Sequence, residues 1–172
     1  MRFPLRDVIP SRSRPVLTWV TTTLAAPFVL WAAPTMLTAG LLGLTTVPLL
    51  VLGETVEDQF GRARYFVMLA ATAGLGAWFG GSPMAVLAAI TAGVSGAHIA
   101  LFPTARILLS LGVALIEIPA FFIAGSWIMT LLIARVPLVG AAVALALAAA
   151  TARVVRPRDH ARWEHFDTVG RP

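Results

Sequence analysis

Two stretches of about 40 residues each carry no charge: no Asp, Glu, Lys or Arg occurs from Pro15 to Gly53, nor from Tyr65 to Ala105. Two shorter uncharged runs come later, Ile118–Ala134 and Val136–Thr151. A water-soluble surface needs charge at much closer intervals, whereas one bilayer crossing needs roughly 20 consecutive apolar residues. Only 12% of the 172 residues are charged and 58% are hydrophobic, against about 25% charged in a typical soluble domain. The pattern predicts an all-α integral membrane protein.

Proline and glycine divide these runs. Pro27 and Pro34 punctuate the first, because proline lacks an amide hydrogen and disfavours helix in the residue before it. Two spans are expected there, Val16–Leu30 and Thr35–Leu52, with a polar link over Gly53–Arg64. Gly80-Gly81-Ser82-Pro83 is a strong turn signal between a third span, Tyr65–Phe79, and a fourth, Met84–Phe102. The section from Ile107 to Ile118, apolar apart from Glu117, is open between a buried loop and an extra turn of helix. A fifth span over Ala120–Ala134 and a sixth over Leu138–Ala152 complete the count. The organisation is then a lead-in over residues 1–15, a bundle over 16–152 and a basic, aromatic tail over 153–172. Four Arg residues precede the first apolar run, and Leu24-Ala25-Ala26 offers small residues of the kind a leader is cleaved at. The segment is nevertheless read as a retained span or anchor.

Charge sets the orientation. All 13 basic residues are Arg, and with six alternating spans 12 of them fall on the side holding both ends, leaving Arg135 alone opposite. Cytoplasmic loops hold the positive residues, so both termini are expected in the cytoplasm. The net charge of +5 flanks apolar segments and forms no patch of the kind nucleic acid needs, so no nucleic-acid partner is expected. The chain has no cysteine, which excludes disulfides and thiolate chemistry.

Several stretches resemble bacterial rhomboid intramembrane proteases. They are Pro4-Leu5-Arg6-Asp7 with Ile9-Pro10-Ser11-Arg12, then Gly53-Glu54-Thr55-Val56-Glu57-Asp58-Gln59-Phe60-Gly61 with Arg64-Tyr65-Phe66. Gly93-Val94-Ser95-Gly96 matches the GxSG nucleophile motif, and Leu101-Phe102-Pro103-Thr104-Ala105-Arg106 matches the family's next segment. Ile118-Pro119-Ala120 with Trp127 looks like the fifth helix. The resemblance implies a compact six-helix bundle in a bacterial cytoplasmic (inner) membrane, with Ser95 at the nucleophile position. It also implies a histidine base on the sixth helix and a His and an Asn on the second. Those partners are missing: Leu41 and Thr45 stand near the second-helix positions, and Gly140–Ala142 lies at the sixth-helix one. The family's long loop between its first two helices is absent as well.

The remaining candidates rest on side-chain chemistry. A serine hydroxyl is a poor nucleophile until a base takes its proton, and the imidazole nearest Ser95 in sequence is His98, one turn away on the same helix. Gly74, Gly76, Gly80, Gly93, Ser95 and Gly96 have the small side chains that let membrane helices approach closely. Glu54, Glu57, Asp58, Arg62 and Arg64 form an interfacial polar cluster, read as a salt-bridged turn. Glu117 is read as a structural residue near the cytoplasmic surface. In the tail, Trp163 and Phe166 suit docking on a membrane surface or partner, while His160 and His165, five apart, do not share a helical face. No metal or cofactor is expected. The function implied is a rhomboid-like pseudoprotease that binds membrane lipids or another integral membrane protein, as a scaffold or as an accessory subunit of a transporter or envelope-lipid complex. A protease using Ser95 with His98 is the alternative. A channel is disfavoured, since the spans hold too few polar residues to line an aqueous path.

Overall fold

The structure is a computed structural model that describes residues 5–7, 15–32, 36–111, 114–123, 128 and 138–155. Its helices are α1 (Val16–Ala32), α2 (Met36–Phe60), α3 (Arg62–Gly80), α4 (Pro83–Leu101) and α6 (Val139–Val154), with helical backbone of α5 at 120–123 and at 128. Together they make a compact, mostly helical bundle of six helices. α4 lies at its centre, packed by α2, α3 and α6, and every residue from Thr91 to His98 is buried.

Local chemistry explains the ends of α3 and α4. Gly81, at φ 59°, closes α3 with its amide on the Ala77 carbonyl; this left-handed position suits glycine. Ser82 then caps α4, its hydroxyl accepting from the Ala85 amide at 3.2 Å, and Pro83 occupies the first helical position, where the missing N–H costs nothing.

Two expectations are corrected. The link expected over Gly53–Arg64 is helical up to Phe60, so α2 is 25 residues long and passes through Pro48. Only Gly61 separates α2 from α3, at φ 75° and ψ 154°, a combination open essentially to glycine alone. The second helix continues because its acidic residue Glu57 is buried and bonded to the backbone of α1, so it does not mark a solvated turn.

The second correction concerns the all-α expectation. Arg106–Leu111 (β2) and Ala114–Pro119 (β3) form an antiparallel hairpin, and Leu5–Asp7 (β1) adds a third strand. The register pairs Ile107 with Ile118 and Leu111 with Ala114, and β1 places Asp7 opposite Ile107. The section is therefore neither a loop nor a turn of helix. Ile107 is fully buried and ties the sheet to the helical core.

Among the described residues, one helix, Pro83–Leu101, is long and apolar enough to cross a membrane, with mean hydropathy 1.8; Val139–Val154 is a shorter apolar helix. The outer faces are apolar too. Trp19 and Leu24 on α1, Phe66, Val67 and Trp78 on α3, and Leu147 and Val154 on α6 are exposed, Trp78 to 84%.

Candidate functional site

Close helix crossings flank the polar groups of α4. A Cβ placed on Gly76 would stand 2.6 Å from the Ala85 carbonyl oxygen, and one on Gly93 2.5 Å from the Thr72 methyl, so α3 meets α4 almost backbone to backbone. A Cβ on Gly80 of α3 would overlap Ala85 of α4, and on the other side of α4 one on Gly96 would run into the Leu145 carbonyl of α6. A Cβ on Gly140 of α6 would stand 3.2 Å from both the Leu75 carbonyl oxygen and the Phe79 Cβ of α3. Gly74 differs: it is exposed, and a Cβ there would meet nothing within 4 Å.

The small residues of α6 went unnoticed in the sequence. Gly140, Ala144, Ala148 and Ala152 recur every fourth position and are all buried. The spacing that keeps residues on one helix face was their available signal. Ala88 and Ala92 of α4 cluster with Ala141, while Gly96 packs on Leu145. Both sequences of contacts rise together, so α4 and α6 run parallel, and the residue level with Ser95 is close to Ala144.

Ser95 is fully buried in this crossing, and its hydroxyl has no hydrogen-bond partner among the described residues. α6 contains no histidine. His98, one turn further along α4, is the one imidazole among the described residues. It is also fully buried; its ring lies 5.3 Å from that of Phe102, tilted by 50°. A base on the same helix as its serine rarely reaches the geometry that proton abstraction requires.

A second polar centre joins three helices at the start of α1. That helix begins after Pro15, which has no side-chain oxygen to cap the first amides. Glu57 of α2 supplies the cap from a distance. Its carboxylate accepts from the Leu17 amide at 3.1 Å and from the Thr18 amide at 2.8 Å, and Thr18 Oγ1 donates to it at 2.9 Å. Thr18 Oγ1 lies 3.2 Å from the Tyr65 hydroxyl of α3. With the one Thr18 proton committed to the carboxylate, the tyrosine is the donor there. All three side chains are buried, and Gly53 leaves the room they occupy: a Cβ on it would stand 2.8 Å from the Tyr65 hydroxyl.

The acidic and basic residues read as one cluster differ in burial. Glu57 turns inward, whereas Arg62 and Arg64 are exposed in the first turn of α3, and Glu54 and Asp58 are half-buried on α2. Thr18 and Tyr65, its two partners, were missed. The signal for them was an apolar helix opening without a capping side chain. Glu117 lies on β3, Leu41 and Thr45 on α2, while Trp163, Phe166, His160 and His165 fall outside the described residues. No group of three potential metal-binding side chains converges among the described residues.

No family model, curated protein or solved structure matches the chain. The functional reading therefore rests on the residues themselves.

Proposed function

We propose that the chain is a multi-pass membrane protein of rhomboid-like architecture, a pseudoprotease that binds another integral membrane protein or lipid and does not cleave peptide bonds. It serves as a scaffold or accessory subunit in a bacterial inner membrane, with both termini cytoplasmic. The observation that carries this reading is the burial of Ser95 against α6, a helix of small apolar residues without a base. The apolar outer faces of α1, α3 and α6 support the membrane setting, since soluble monomers rarely expose contiguous apolar patches beyond a few hundred Å².

The competing reading is hydrolysis by Ser95 with His98, favoured by their proximity on one buried turn of α4. A fluorophosphonate probe on the protein in native membranes separates the two. The pseudoprotease takes up no label and leaves transmembrane substrates intact. Labelling and cleavage that both disappear in Ser95→Ala would establish the enzyme instead.

A further inference from the structure

A groove of about 360 Å³ runs along the outside of the bundle between α3 and α6, within the range of roughly 300–1,000 Å³ typical of ligand sites. Its floor is made of the buried side chains Phe60, Met68, Thr72 and Ala148, and exposed Val67 and Leu147 stand along its rim. The depth comes from small residues: Ala63 and Ala71 are exposed on α3 where larger side chains would close it. The one charged group in the lining is Arg64. Gly140 packs beside Leu75 and Phe79, so α3 and α6 run antiparallel, and Arg64 and Val155 share one end of the groove.

From Ala63 to Thr72 along α3 the helical rise gives a length of roughly 14 Å. One leaflet of a bilayer contributes about half of a hydrocarbon core ~30 Å thick, so the groove is as long as one leaflet is deep. Arg64 lies on the arginine-rich side of the chain, the side expected to face the cytoplasm, where anionic lipids give the membrane surface its negative potential. Its cation does not serve its own helix, because a positive charge in a first turn opposes the helix dipole.

We propose that the α3–α6 groove binds one acyl chain of an anionic glycerophospholipid, with Arg64 against the headgroup phosphate. The proposal rests on the membrane reading and assigns the lipid and its place. An acyl chain covers Val67 and Leu147, and the phosphate accepts from the guanidinium, whose planar donors match its oxygens.

The test is native mass spectrometry of the full chain in mild detergent, titrated with phosphatidylglycerol or with phosphatidylcholine of the same acyl chains. Wild type is expected to retain one phosphatidylglycerol about five- to tenfold better than phosphatidylcholine. Arg64→Gln removes the preference, and Ala71→Trp, which fills the groove from an exposed position, lowers retention of both lipids. Ala63→Trp provides an independent block. Excess inorganic phosphate leaves the lipid in place, because the acyl chain contributes most of the binding. Equal retention of the two lipids by wild type, wild-type retention by both Arg64→Gln and the tryptophan variants, or displacement by phosphate overturns the site while leaving the membrane reading standing. A chain that stays dispersed without detergent overturns both.

Discussion

Glu57 does for α1 what a serine or aspartate just before a helix ordinarily does, but from another helix. Removing it leaves one buried and one part-buried N–H group without their acceptors, and a buried orphan donor costs about 1–3 kcal/mol. Glu57→Ala is therefore expected to destabilise the fold by about 2–4 kcal/mol, read as a lower thermal midpoint in detergent. A midpoint equal to wild type would show that α1 does not depend on this cap. The glycines divide in the same physical terms. Gly74 is exposed within α3 with open space around it, so Gly74→Ala is expected to be neutral or to stabilise by about 0.5–1 kcal/mol through the backbone entropy of the unfolded chain. In Gly96→Ala the added carbon meets a backbone carbonyl of α6, and overpacking of that kind costs about 1–3 kcal/mol. Thermal midpoints of the two variants that moved the same way would contradict the assigned crossing.

At the scale of elements, punctuation made most helices legible. Gly80-Gly81-Ser82-Pro83 marked the α3–α4 boundary to within a residue, because both the left-handed closing position and the capping oxygen are local requirements. The first and last described helices likewise begin within a residue of the expected positions. The end of α2 was misplaced because charge was read as exposure, and the group that buries Glu57 is a backbone 40 residues away in sequence. The hairpin was missed for a different reason. A short run of Ile and Leu has no periodicity that separates a buried strand from a helix. Gly112, first of the two residues between paired Leu111 and Ala114, was the hairpin signal available. Of the candidate site, the isolation of Ser95 from any histidine on the last helix was readable in sequence. The parallel packing of α4 on α6, and the alanines that seal it, needed the fold.

At the scale of the whole molecule, parallel α4 and α6 with antiparallel α3 and α6 suit a chain that crosses a bilayer repeatedly. The absence of native cysteine makes single-cysteine labelling a clean reporter of orientation. Ser82→Cys is expected to react with a membrane-impermeant maleimide in intact cells, whereas Thr104→Cys reacts only after permeabilisation. Equal reaction of both in intact cells would contradict the alternating topology. The same chemistry addresses the buried serine most directly, through Ser95→Cys in native membranes challenged with a small maleimide. No modification of the folded protein is expected, and complete modification once it is denatured in SDS. Rapid modification of the folded protein, slowed by a transmembrane peptide, would place that side chain in an open cleft and contradict the pseudoprotease reading.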